Sequence, residues 1–274
     1  MSVLGCQRGP ATVMAELEEA RHLAADARVQ FSKAADASNR AVMADTDEAS
    51  ISNAQQAQQA TKLVEHDIAV LVPLLKGLGV STEIQVVERF QKQFSDYRSV
   101  DKNVLELAVE NTNLKAQQLS FGPAREAADH IKSALAQVLP SLSAGEHCRA
   151  EGLAFGAVLS VRELQTLHAP HIASADDAAM TRMEQEISGL ELKTANALND
   201  LKGLVEPSSL SAAQAAFDQL KAVDGQIVAL SRKNTNVRSL DLSLRVKPAL
   251  SNACDATLLT LQTELANEGS KATR

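Results

Sequence analysis

The sequence is poor in the residues that strands and turns require. Its 274 residues include no tryptophan, one tyrosine and six phenylalanines, with only 12 glycines and 7 prolines. Pleated sheets favour aromatic and β-branched residues, whereas this chain is rich in alanine, leucine, glutamine, glutamate and lysine, which favour helices. We therefore predict an all-α protein built from long helices.

Several functional classes lack their usual signature. The net charge is -7, and no basic stripe with interleaved aromatics suggests nucleic-acid binding. No serine-hydrolase elbow, phosphate-binding loop or zinc-protease motif occurs, so the sequence predicts neither an enzyme nor a cofactor. The three cysteines, Cys6, Cys148 and Cys254, match no zinc or redox spacing. No apolar run reaches the ~20 residues that a membrane span needs.

An internal repeat organises the chain. Residues 94–120 and 217–243 are identical at nine of 27 positions, at an offset of 123, and both contain the triplet Asn-Thr-Asn. In both copies apolar residues recur at alternating steps of three and four, which predicts a buried helical seam that includes Asn111 and Asn234. The repeated Asp101 and Asp224 fall beside this seam, where solvation of the helix flank is the expected role.

Turn signals near residues 77–81, 140–145 and 206–209 divide the chain into four helical rods of similar length. They run over 12–77, 82–139, 146–204 and 209–268, which predicts an elongated up-down-up-down four-helix bundle.

Three prolines inside the rods predict kinks at one level, near Pro123, Pro170 and Pro248. The sequence thus predicts two stacked four-helix modules and a flexible tail over residues 1–11. The proximal module would hold 12–39, 123–169 and 248–268, and the distal module 40–121 and 172–246.

Polar residues gather at one predicted height beside these kinks. One interpretation is a register device, since a buried asparagine often fixes helix pairing. The other is a ligand pocket between helices. The candidate ligand-binding residues are Asn111, Asn113, Lys115, Asn234, Asn236, Arg238, Asp47 and Asp177.

His168 and His171 flank Pro170 and form the candidate metal site. The metal considered for it is a soft one such as copper. The alternative is a pair of ordinary surface or interface histidines, because no third ligand is evident.

The stretches Leu-Ala-Val-Glu-Asn-Thr-Asn-Leu-Lys-Ala (107–116) and His-Ile-Ala-Ser-Ala-Asp-Asp-Ala-Ala-Met (171–180) resemble the four-helix-bundle sensory domains of methyl-accepting chemotaxis proteins. The doubled form is similar to bimodular chemoreceptor sensor domains. The resemblance implies a chemotaxis-type sensor that binds a small polar or anionic molecule between helices, relays a helix shift and forms a homodimer or contacts a signalling partner. It also implies a periplasmic or extracytoplasmic location if an upstream anchor was removed, and a soluble protein otherwise. The alternative is a structural or scaffolding bundle that acts through dimer or partner-helix contacts.

Overall fold

The computed structural model describes residues 10–141 and 144–272, and in those residues the chain is almost entirely helical with no strand. The all-α prediction is therefore confirmed. The helices are α1 (Pro10–Val42), α2 (Asp47–Leu78), α3 (Ser81–Glu110), α4 (Thr112–Leu119), α5 (Arg125–Val138), α6 (Ala144–Ala173), α7 (Asp177–Leu201), α8 (Ser211–Lys233), α9 (Thr235–Arg245) and α10 (Lys247–Ala272). A π-helical turn (Ser120–Ala124) joins α4 to α5, and short 3-10 turns cover Leu139–Ser141 and Pro207–Leu210.

The chain forms two compact units whose boundaries differ from the predicted modules. Unit 1 takes the described residues of Met1–Glu110 and Arg238–Arg274, and unit 2 is Asn111–Val237. The predicted division lies at the prolines, whereas the chain leaves unit 1 after α3, at Glu110, and returns to it within α9. Most of the predicted tail 1–11 lies outside the described residues, and α1 already begins at Pro10.

Unit 1 packs α1, α2, α3 and α10 around an aromatic core. The ring of Phe31 meets Tyr97 edge-on at 5.0 Å between centroids, and Phe90 stacks on Phe94 at 5.2 Å. Leucines from α10, Leu258, Leu261 and Leu265, are fully buried against this group. Most of the chain's few aromatic residues are thus buried together in the core of unit 1.

Unit 2 packs α4, α5, α6, α7 and α8, and its core relies on alanine. Small side chains let helix backbones approach closely, and larger leucines with Phe217 fill the remaining space. The buried alanines are Ala116, Ala124, Ala127, Ala128, Ala134, Ala150, Ala154, Ala157, Ala213 and Ala216.

Two of the predicted rods are hairpins. Within the predicted rod 12–77, α1 ends at Val42 and α2 begins at Asp47. The hydroxyl of Thr46, the residue before α2, accepts a hydrogen bond from the backbone N–H of Ala49. Rod 146–204 breaks in the same way, because the Asp176 carboxylate accepts from the N–H groups of Ala178 and Ala179. Side-chain oxygens at these positions satisfy the open N–H groups of a helix start. The prediction of four uninterrupted rods is therefore wrong.

The other two rods break at the repeated asparagines. Asn111 separates α3 from α4 and Asn234 separates α8 from α9, both in the left-handed conformation with φ of 56° and 55°. A single left-handed residue ends the helical hydrogen-bond run, and asparagine tolerates that conformation better than most residues. The predicted place of these two residues within a continuous helical seam is wrong, although both are buried.

The predicted turn at 77–81 is confirmed. Gly79 takes φ of 73° and donates its N–H to the carbonyl of Leu75, which closes α2. The turn at 206–209 holds Pro207 at the start of a 3-10 segment. Part of the turn predicted at 140–145 falls on residues 142 and 143, which lie outside the described residues.

The three internal prolines occupy different settings. Pro123 lies in the π-helical turn, Pro170 lies inside α6, and Pro248 is the second residue of α10, where a helix needs no backbone N–H. A kink shared by three rods stays a prediction. Within the described residues no helix is both long and apolar enough to span a bilayer.

Candidate functional site

The two Asn-Thr-Asn triplets lie against each other in unit 2. Thr112 and Thr235 are the first residues of α4 and α9, and both are 1% exposed. The N–H of Thr112 donates to the Thr235 hydroxyl at 2.9 Å, and the N–H of Thr235 donates to the Thr112 hydroxyl at 3.2 Å. Two helix starts therefore cap each other, which explains why the sequence repeats the triplet.

The asparagines that follow extend this reciprocal pattern. The N–H of Asn113 donates to the Asn236 side-chain oxygen and the N–H of Asn236 to that of Asn113, both at 3.1 Å. The Asn113 amide also donates to the Asn234 oxygen at 2.9 Å, and the Asn236 amide donates to the Asn111 oxygen. We call Asn111–Asn113 with Asn234–Asn236 the Asn-Thr-Asn cluster.

The cluster also holds the end of α6. The Asn113 amide donates to the carbonyl of Ile172 at 2.6 Å, and the Asn234 amide donates to that of Ser174 at 2.7 Å. Carbonyls at a helix C-terminus lack partners within the helix, so these bonds satisfy groups that would otherwise be costly to bury. The asparagine side chains thus bond to one another and to the chain itself.

Of the predicted ligand layer, the four asparagines are joined by the hydrogen bonds described above. Asp177 is 91% exposed in the first turn of α7 and lies 3.3 Å from Arg232. Asp47 lies in the first turn of α2, in unit 1. Arg238 is exposed on α9 and also belongs to unit 1, whereas Lys115 is half-buried on α4. Both acids occupy first turns, where a carboxylate interacts favourably with a helix N-terminus, and the common layer stays a prediction.

Thr112 and Asn113, which follow Asn111, are both buried. The left-handed residue before them rotates the new helix relative to the old one. A periodicity that runs straight through Asn111 therefore places residues such as Gln118 and Phe121 in the interior, whereas both are exposed.

His168 is buried and hydrogen-bonded through both ring nitrogens. Its Nε2 lies 2.8 Å from the Asp224 carboxylate and its Nδ1 lies 2.9 Å from the Ser120 hydroxyl. Burial raises the pKa of Asp224, while the hydrogen bond with His168 acts in the opposite direction. The second Asp224 oxygen, Oδ2, is buried and makes no hydrogen bond to any described residue.

His171 lies one turn further along α6 and has a comparable set of contacts. Its Nδ1 lies 2.6 Å from the Ser231 hydroxyl and its Nε2 lies 2.9 Å from Glu184, which also accepts from Arg232 at 2.6 Å. The Arg232 guanidinium, and after it His171, hold the pKa of Glu184 below its ordinary value.

These contacts give the metal interpretation of His168 and His171 no support. A ligating histidine needs a ring nitrogen that faces the ion, and all four nitrogens here face serine or carboxylate oxygens. Among the described residues no group of three or more His, Cys, Asp and Glu side chains could hold a metal ion. Each histidine is 1% exposed, so of the alternative only the interface role, at contacts between helices, fits the structure.

Unit 1 contains a buried polar group that the sequence analysis missed. Lys247 lies 3.0 Å from the Asp101 carboxylate and donates to the Ser38 hydroxyl at 2.6 Å, while Ser38 donates to Asp101 at 2.6 Å. Burial, and then the nearby Asp101 charge, raise the pKa of Tyr97. The prediction of solvated flanking roles for Asp101 and Asp224 is therefore wrong. Their identity in both repeat copies was the available signal.

A groove of about 450 Å³ lies between α2 and α3 in unit 1, and we call it the α2–α3 groove. Its lining includes three cations and two carboxylates. Each carboxylate has an ion-pair partner: Glu65 pairs with Arg98, and Asp101 pairs with the buried Lys247. Lys102 in turn lies 3.8 Å from Glu106 in an exposed pair. The lining itself holds three cations against two carboxylates, which is a surplus of one positive charge. The charged and hydroxyl side chains of the lining are Lys62, Arg98, Lys102, Glu65, Asp101, Thr61, Ser95 and Ser99.

Comparisons of the chain with protein-family models, with curated proteins and with solved structures give no match.

Proposed function

We propose that the protein is a sensor module of the chemoreceptor type that binds a small organic anion in the α2–α3 groove and relays a helix shift. The carrying observation is a surplus of one positive charge in a groove of ligand size whose lining includes charged and hydroxyl side chains. Carboxylate ligands favour sites where cations converge beside hydroxyl donors. The proposal keeps the ligand class expected from the sequence and moves the site away from the asparagines, whose hydrogen bonds are used internally.

The relay follows from the path of the chain. Asp101, Lys102 and Leu105 line the groove on α3, and α3 ends at Glu110, directly before the Asn-Thr-Asn cluster. A displacement of α3 along its axis would therefore reach the end of the helix at Glu110. Sliding of packed helices by one or two ångströms is a common form of signal relay. On the resemblance described above, the module would work outside the cytoplasm and pass the shift to a signalling partner.

The test is a thermal-shift and calorimetric screen of the full chain against small mono-, di- and tricarboxylates. We expect at least one to raise the melting temperature, and the double variant K62Q/K102Q to weaken its affinity by up to about tenfold, from the loss of two exposed charges. Lys132→Gln, an exposed lysine on α5 in unit 2, is the matched control and should leave affinity unchanged. The proposal fails if no carboxylate binds, or if the control variant weakens binding equally.

A structural or scaffolding role is the second candidate, and the internally satisfied Asn-Thr-Asn cluster favours it. A polar cluster of this kind is suited to fixing the pairing of helices. In this role, no compound in the carboxylate screen would change the melting temperature, while variants of the cluster would still lower stability.

A further inference from the structure

Helix α6 carries an apolar surface that its own unit leaves uncovered. Phe155 is 68% exposed and Leu159, one turn later, is 46% exposed, while Ala150, Ala154 and Ala157 bury the opposite side of the helix. An isolated exposed apolar residue is ordinary, but a phenylalanine and a leucine on adjacent turns of one helix form a patch. We call this surface, with Gly152 and Gly156, the α6 face.

The two glycines lie within the same surface. A Cβ atom built at Gly152 or Gly156 would meet nothing within 4 Å, so the fold of this chain does not require glycine at either position. Glycine disfavours a helix relative to alanine. What glycine does permit is the close approach of a second helix, next to which Phe155 and Leu159 could be buried.

Charges around this face match a second copy of the chain. Arg149 lies seven residues before Gly156 and Glu163 lies seven residues after it, and both are exposed. Seven residues are two helical turns, about 10 Å, so the two side chains lie along one edge of α6 at equal distances from Gly156. When two α6 helices cross antiparallel at Gly156, a two-fold axis places each Arg149 beside Glu163 of the other copy.

We propose that the α6 face is a homodimer interface in which two copies of α6 pack antiparallel about Gly156. Phe155 and Leu159 supply the apolar contact, and two symmetric Arg149–Glu163 ion pairs set the direction. A parallel pairing would place Arg149 beside Arg149 and Glu163 beside Glu163, so repulsion disfavours it. The inference is independent of the ligand proposed for the α2–α3 groove, because it concerns unit 2 alone.

A charge-exchange series tests the interface in the full chain by sedimentation equilibrium at low salt. We expect the wild type to dimerise, and Arg149→Glu or Glu163→Arg alone to raise the dimer dissociation constant by about tenfold, because attraction becomes repulsion at two symmetric places. The double variant R149E/E163R should return to within about threefold of the wild type. Arg182→Glu, an exposed arginine on α7, is the control and should have no effect.

A second measurement addresses geometry. In a background with Cys6→Ser and Cys148→Ser, Gly156→Cys should form an intermolecular disulfide under mild oxidation, whereas Ala215→Cys, exposed on α8, should not. Phe155→Ser should weaken the dimer by at least about 100-fold with unchanged helical circular dichroism. A wild type that stays monomeric on the order of 100 µM, or a double variant that remains as weak as the single ones, overturns the proposal.

Discussion

At the scale of single residues, the asparagines at the two helix breaks combine an unusual backbone with buried side-chain bonds. Asn111 and Asn234 are the two non-glycine residues with positive φ in the described chain. Their neighbours Thr112 and Thr235 each offer one hydroxyl to the backbone of the other. Asn234 therefore contributes to stability both through its left-handed backbone and through its side-chain amide, and substitutions can separate these two contributions.

We predict that Asn234→Gly destabilises the protein less than Asn234→Ala. Both variants lose the amide bonds to Asn113 and Ser174, which should cost about 1–3 kcal/mol. Alanine also carries the strain of the left-handed conformation, about 1 kcal/mol more, whereas glycine does not. Urea unfolding followed by circular dichroism measures the difference. Within an ordinary helix the order is the reverse, so an alanine variant that is the more stable of the two would contradict the left-handed assignment.

The Glu184 carboxylate gives a pH-dependent prediction. A carboxyl whose pKa is lowered in the folded state adds stability above its unfolded pKa, and that stability is lost as the pH falls through the folded pKa. Because Arg232 lowers the pKa of Glu184, Glu184→Gln should cost about 1 kcal/mol at pH 7. The difference from the wild type should shrink as the pH falls below 4.5, the ordinary value.

Unfolding free energies measured from pH 7 to pH 3 test this expectation. Glu186→Gln, two residues along the same helix and exposed, is the control and should cost little at any pH. A Glu184→Gln deficit that does not change with pH would show that the carboxylate contributes through packing rather than through its charge.

At the scale of helices, the capping residues decide where the long predicted rods turn back. Thr46 and Asp176 each accept hydrogen bonds from the first turn of the next helix, and acidic residues follow both of them. Helix starts of this kind convert two predicted rods into the hairpins α1–α2 and α6–α7. The acids at 47 and 177 are first-turn residues of these helix starts.

We predict that Asp176→Ala lowers the free energy of unfolding by about 1 kcal/mol, the usual effect of losing a helix cap. Asp177→Ala should cost under about 0.5 kcal/mol, because this side chain is 91% exposed and its ion pair with Arg232 is a surface one. Chemical denaturation of the two variants provides a matched comparison. Equal losses would mean that the cap does not fix this turn.

The sequence allows helix type to be predicted well and helix direction poorly. Composition and the three-four periodicity are local, and they correctly indicate helices almost everywhere in the described chain. A reversal that needs only the four residues 43–46 leaves a weak signal, since threonine followed by acids also occurs inside surface helices. The repeat correctly marked the triplet as special, but its bonding depends on residues 123 positions apart meeting in space.

At the scale of the whole molecule, the compact units do not follow one another simply along the chain. Unit 2 is one continuous segment, whereas unit 1 needs two segments because α10 supplies Leu258, Leu261 and Leu265 to its core. Sequence periodicity contains no information about which helix joins which core, so the bounds of the predicted modules differ from those of the compact units.

We predict that the fragment 111–237 folds alone, with a helical spectrum and one cooperative unfolding transition, because its alanine-rich core is complete within that range. The fragment 1–110 is the control and should be much less stable, since the loss of α10 exposes the core beside Phe90 and Tyr97. Circular dichroism melts of both fragments measure this. A disordered 111–237 fragment beside a stable 1–110 would contradict the division into units.

The mutual capping of Thr112 and Thr235 has a consequence for how this chain can be rearranged. It fixes the two ends of unit 2 side by side, 3.2 Å apart at the hydroxyl oxygens. A segment with adjacent ends behaves as an insertion, which a host can gain, lose or exchange without rerouting the polypeptide. The stretch 111–237 is thus a cassette: it could be excised by joining Glu110 to Arg238, or circularly permuted by linking its own ends.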